Sequence, residues 1–159
     1  MNCVVVYASR SGNTQRIAAA IADGLRTRGP VQLFAADAAP TTLPAGTDLL
    51  VVGGPTEGHG MTDPIKRFVD ELATESIDAI PVAAFDTRLR WPKVISGSAA
   101  EGIAKKLTGA GARVIAVESF MVTKTPTLEP GEEERAAAWA GTLAETVRPS
   151  ASEPVPAGS

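Results

Sequence analysis

"VVVYASRSGNT", residues 4–14, passes from Val4, Val5, Val6 and Tyr7 straight into small, hydroxylated and amide-bearing residues. Consecutive apolar, β-branched positions fit a strand covered on both faces. The second half cannot continue that strand, because Gly12 frees the backbone and Ser9, Ser11, Asn13 and Thr14 favour turns and helix starts. Helical spacing then begins at once, with Ile17, Ile21 and Leu25 on one stripe. The stretch reads as strand, polar turn and helix.

Outward from it, the same alternation repeats. "CVVVY" (3–7), "VQLFA" (31–35), "DLLVVGG" (48–54), "IPVAAF" (80–85) and "ARVIAVESF" (112–120) read as five buried strands. Helical stripes separate them: Ile65, Phe68, Val69 and Leu72; Ile103 and Leu107; then Ala136, Trp139, Ala140, Leu143 and Val147. Asp63 followed by Pro64 predicts a helix cap and first turn, Ser98 to Glu101 a capping box, and Glu132, Glu133 and Glu134 a helix start favoured by the dipole. Between Phe34 and Asp48 two prolines and no stripe predict a short or irregular helix. "PSASEPVPAGS", after Arg148, holds three prolines and almost nothing to bury, which predicts one domain over 1–147 and a disordered tail over 148–159. Strands alternating with helices imply an α/β, doubly wound three-layer sandwich with a parallel sheet. Ligands of such sheets bind beyond the carboxyl ends of the strands, where strand order reverses.

Bulk properties narrow the function. The chain has 159 residues, 44% of them apolar, enough for one sizeable core. A net charge of −3 argues against nucleic acid as a partner. No apolar run approaches the roughly 18 residues of a membrane span, and the start lacks the features of a signal peptide. A cytoplasmic protein is expected. Cys3, the single cysteine, has no partner for an internal disulfide and belongs to the first strand as a small buried hydrophobe.

The turn at residues 9–14 lies where the first N–H groups of a helix lack acceptors. Hydroxyls of Ser9, Ser11 and Thr14, the Asn13 amide and a flexible Gly12 suit it to a phosphate monoester. Other phosphate motifs fail: no lysine follows Gly12 as a P-loop requires, and G-x-G-x-x-G is absent. A receiver domain would end its first and third strands on acids, whereas Tyr7, Ala8, Gly53 and Gly54 stand there.

"SRSGNT" resembles the S/T-x-S/T-G-N-T phosphate loop of the flavodoxin family, and "GGPTEGHGM" (53–61) resembles its second flavin loop. The resemblance spans about residues 1–147 and implies a five-stranded sheet of order 2-1-3-4-5, in the short-chain form because strand five has no long insertion. Flavodoxins are themselves among the proteins that illustrate binding at the switch between strands one and three. The resemblance implies FMN, held at its phosphate by Ser9, Ser11, Gly12, Asn13 and Thr14, with Arg10 as an extra ligand. Pro55, Thr56, Glu57, Gly58, His59 and Gly60 would line the flavin, Thr56 offering its hydroxyl to the ribityl chain or phosphate. In the family a peptide near flavin N5 rotates on reduction; Gly58 and Gly60 both qualify, and the P-T-x-x-x-G-M spacing favours Gly60. His59 is either an exposed loop residue or a partner of the flavin. No metal cluster accompanies it.

The segment "FDTRLRWPKVISGS" (85–98) departs from the family. Asp86 and Thr87, read as a strand end, would meet the ring's pyrimidine edge through backbone groups; Trp91 would cover a flavin face or pack on the domain. Arg88, Arg90 and Lys93 outnumber the one acid, either as a solvated face or as a positive ring that raises the flavin potential and attracts an acidic partner or a nicotinamide nucleotide. The resemblance thus implies an electron-transfer protein serving redox partner proteins or small-molecule acceptors. An FMN-dependent NAD(P)H quinone reductase and a flavin-free interaction module are the alternatives.

Overall fold

In a computed structural model of the chain, residues 1–58, 60–74 and 77–148 are described. Five strands, β1 (Cys3–Tyr7), β2 (Val31–Ala35), β3 (Leu49–Pro55), β4 (Pro81–Leu89) and β5 (Arg113–Val122), form one parallel sheet of order β2-β1-β3-β4-β5. Helices α1 (Asn13–Leu25) and α5 (Glu132–Val147) cover one face, α2 (Asp63–Leu72) and α4 (Ala99–Gly109) the other. A single helical turn, α3 (Lys93–Ser96), precedes α4.

The unbroken apolar runs follow from this layering. Successive side chains of a strand point to opposite faces, so both must be apolar when both are covered. In β1, Val4 and Val6 join Ile65, Phe68 and Ile103, whereas Cys3 and Val5 join Ile17, Ile21 and Leu143. Phe85, Phe120 and Trp139 meet edge to face, with centroids 5.8–6.4 Å apart, beneath α5. Gly53 leaves room for that cluster: a Cβ there would run into the Phe85 ring.

Several elements differ from the sequence reading. Strand β4 runs on to Leu89 because β5 stays beside it, pairing Asp86 with Ser119 and Leu89 with Val122. Asp86, Thr87 and Arg88 are therefore strand, and the loop expected from residue 85 begins after Leu89. Helix α2 has Thr62 as its cap, with Asp63 already inside. The proline-rich crossover, by contrast, holds the short helix expected of it, a single 3₁₀ turn at Ala36–Ala38. Half of the capping box forms: Ser98 Oγ accepts from Glu101 N, while the Glu101 carboxylate pairs with Lys93. The stretch expected to be a tail lies, from residue 149 onward, outside the described residues.

Candidate functional site

β1 and β3 are neighbours, yet their chains leave toward opposite faces, to α1 and to α2. Their loops therefore part at the carboxyl edge and leave a crevice. On one side is the turn at 9–14. Gly12, in the left-handed region at φ +91°, caps α1 with no side-chain bond of its own. Ser9 supplies the cap instead, its Oγ accepting from Gly12 N at 3.1 Å and Gln15 N at 3.3 Å. Both lone pairs are thereby used, and the hydroxyl proton remains for a ligand. Asn13 Nδ2 donates to Ser11 Oγ at 3.1 Å. Backbone N–H groups of Asn13 and Thr14 meet no acceptor among the described residues, and the first turn of α1 carries no acid. Thr14 is buried and shares a 2.8 Å hydrogen bond with Thr87 across the sheet edge. No atom lies within 4 Å of where a Gly12 Cβ would stand, so the mouth is open.

Opposite stands the turn after β3. Glu57 and Gly60 exchange two backbone hydrogen bonds of 2.9 Å, a tight turn with Gly58 at φ +53°. Gly60 has its N–H and carbonyl engaged in these bonds; Gly58 has no hydrogen bond among the described residues and open space beside its Cα. His59 lies outside the described residues. Arg10 and Glu57 form an ion pair of 3.2 Å that links the two turns. Thr56 is not free to offer its hydroxyl as expected, because Oγ1 donates to Asp86 Oδ2 at 3.1 Å and accepts from Ala99 N at 2.9 Å.

The third segment is corrected most. Asp86 and Thr87 are buried inside β4, their backbones shared with β3 and β5, so a ring edge cannot approach them as it would a strand end. Thr87 O receives Thr56 N at 2.9 Å. The Asp86 carboxylate gathers Ser98 Oγ, Ala100 N and Thr56 Oγ1. Sequence reasoning had Ser98 only as a cap and missed this role; the one signal was a charged residue ending an apolar strand. The three bases do not form a free positive ring: Arg90 pairs with Glu129, Lys93 with Glu101, and Arg88 donates to Ser119 Oγ and the Trp91 carbonyl. Trp91 is 45% exposed, with the Lys124 ammonium 5.9 Å from its ring centroid.

Two cavities, of about 250 and 100 Å³, adjoin the first turn. Ser9 lines both, with Tyr7 and Gln15 in the larger and Arg10, Pro55 and Thr62 in the smaller. A larger groove of about 480 Å³ between α2 and α4 is lined by Met61, Gly102, Lys105 and Ala110, none of which belongs to the two turns' donor set. Unpaired N–H groups, a spare hydroxyl proton, an arginine and no helix-start acid fit a phosphate ester better than any neutral group.

Comparisons with known proteins agree. The family model described as Flavodoxin matches residues 5–139. A flavodoxin from the domain Archaea superposes with TM-score 0.74 at 24% identity, over 93% of this chain and 99% of the other. Oxidised Flavodoxin 1 from Bacillus cereus gives 0.77 at 23%, over 91% and 98%. A WrbA-like flavodoxin from Agrobacterium tumefaciens gives 0.71 at 22%, over 92% and 97%. A search among curated proteins finds no match. The matched span covers both turns and, but for the first two residues of β1, all five strands, and the chain accordingly belongs to the flavodoxin family, whose cofactor is FMN.

Proposed function

We propose that this chain is a cytoplasmic FMN electron carrier that passes electrons between redox partner proteins or small-molecule acceptors. FMN supplies the redox chemistry, taking up and releasing one or two electrons. The chain's own residues hold and orient it. Ser9, Ser11, Asn13 and the N–H groups of Asn13 and Thr14 grip the phosphate, while Arg10, already paired to Glu57, spans the crevice above it. Thr14 acts chiefly by fixing the turn through Thr87. Pro55 to Gly58 and Gly60 flank the ring. Gly58 is the better candidate for a peptide that rotates beside it, since turning a peptide of Gly60 would break the bonds to Glu57. This reverses the preference drawn from spacing. Trp91, 45% exposed, remains available to cover a flavin face.

One observation carries the reading: a helix start with unpaired N–H groups, ringed by hydroxyls and facing a glycine turn. Titrating the FMN-free chain with FMN and with riboflavin tests it. FMN should bind at least about a hundredfold more tightly, because riboflavin leaves the donors unpaired. Equal affinities would refute it. The quinone-reductase alternative is the weaker because Arg90 and Lys93, which would have met a nucleotide's phosphates, are already neutralised by Glu129 and Glu101. NAD(P)H oxidation by the FMN-loaded chain with a quinone, without added reductase, would reinstate it.

A further inference from the structure

Asp86 is the one fully buried carboxylate among the described residues, and it stands between β4, the second ligand turn and the start of α4. Its Oδ2 accepts from Ser98 Oγ at 2.6 Å, Ala100 N at 3.0 Å and Thr56 Oγ1 at 3.1 Å. Its Oδ1, also buried, has no partner. The Thr56 hydroxyl in turn accepts from Ala99 N at 2.9 Å. One oxygen thus joins an N–H group of α4, its cap residue and the residue that opens the Glu57–Gly60 turn, and that residue takes a second α4 N–H in its turn. Nothing in the packing requires a charge at this position, for Ala84 and Val82 on the same face of β4 are apolar. The charge is nonetheless well placed, since the α4 start supplies N–H groups and a favourable dipole.

We propose that Asp86 is a positioning residue of the flavin site. Its carboxylate fastens the second ligand turn to the N-terminus of α4, and its buried charge biases the bound flavin against accepting electrons. The proposal rests on the FMN reading only in its second half; the fastening is a property of the chain itself. Coulomb interaction at a site shielded from water opposes added negative charge, so neutralising Asp86 should move the flavin midpoint potential to a more positive value. The orphan oxygen makes a clean test available. In Asp86→Asn the amide oxygen can keep all three acceptor bonds, and its NH₂ falls where no protein donor competes. Asp86→Ala removes bonds and charge together.

Hydrogen exchange of the FMN-free chain reads the fastening. Asp86→Ala should speed exchange at Ala99 and Ala100 by about tenfold or more, with Asp86→Asn in between. Asp86→Ala should also weaken FMN at least about tenfold, with partial rescue by asparagine. Potentiometry of FMN-loaded Asp86→Asn should show the positive shift. Unchanged exchange in Asp86→Ala would overturn the fastening, and an unchanged potential in Asp86→Asn would overturn the electrostatic role. Failure of the unaltered chain to take up FMN would instead refute the functional reading and leave the exchange result standing. Should Asp86→Ala not fold, Ser98→Ala and Thr56→Val, which each remove one donor, should show the same exchange effect in smaller degree; no effect in either would count against the proposal.

Discussion

Ser9 shows how much one side chain can carry. Its oxygen closes the N-terminus of α1 through Gly12 N and Gln15 N while its proton stays available. Ser9→Ala should therefore cost about 1 kcal/mol of stability in the FMN-free chain, as loss of a helix cap does, and weaken FMN as well. Urea unfolding with and without FMN separates the two losses. Ser11 has no such structural duty beyond the bond from Asn13, so Ser11→Ala should cost about 1–3 kcal/mol in FMN binding and little in stability. Thr14→Val should differ from both by destabilising the FMN-free chain about 1–3 kcal/mol, since it strands the buried Thr87 hydroxyl. Cys3 is a different kind of residue. Burial pushes its thiol up to about 11 from an ordinary 9.0, with the nearby Asp48 adding to the rise and the N-terminal ammonium opposing it. The unfolded thiol ionises first as pH rises, so the stability from keeping it protonated is present below pH 9 and is lost between about pH 9 and 11. A thiol reagent at pH 8 should leave the native chain unmodified and react on unfolding.

Among the elements, α1 and α5 are held in unusually close contact. A Cβ on Gly24 would lie 2.7 Å from Ala140 Cβ and 2.9 Å from the Ala137 carbonyl. Helix propensity favours Gly24→Ala by about 1 kcal/mol, whereas forcing packed helices apart costs about 1–3 kcal/mol. The second effect wins. Gly24→Ala should destabilise the chain, measured by chemical unfolding, despite its better intrinsic preference. The start of α5 contributes an opposite kind of contact. The Arg135 guanidinium beside Glu132 holds its carboxyl below the ordinary range; the Met121 N–H helps, and burial opposes. A lowered folded pKa gives stability that is present above pH 4.5 and lost as pH falls toward the folded value. Glu132→Gln should accordingly flatten the decline in stability on acidification below about pH 5, read from unfolding midpoints at a series of pH values.

For the whole molecule, the binding free energy of FMN becomes folding stability, because the crevice between the two turns does not exist in the unfolded chain. At a free concentration a hundred times the dissociation constant, FMN should add about 2.7 kcal/mol and raise the melting temperature by about 5–10 °C. Riboflavin at the same concentration should raise it much less. The five strands, the four longer helices, the sheet's covered faces and the polar turn that opens α1 were all legible along the chain, because strand and helix periodicity and the donor-rich residues 9–14 are local properties. Less legible was the stretch after Phe85. Asp86, Thr87 and Arg88 look like loop residues until Ser98, Thr14 and Ser119 are brought to them from 12, 73 and 31 positions away. The three bases likewise look like a positive ring until Glu129 and Glu101 are found beside two of them.

By itself, then, the order of apolar runs and polar turns determined the layered α/β fold and a donor-rich first turn, since both depend on neighbours only a few residues apart. Tertiary structure alone decided which charges are spent, which carbonyls are engaged and that a carboxylate is enclosed between β4 and α4. Those outcomes depend on partners that meet only after the sheet has formed, and no local pattern encodes such meetings.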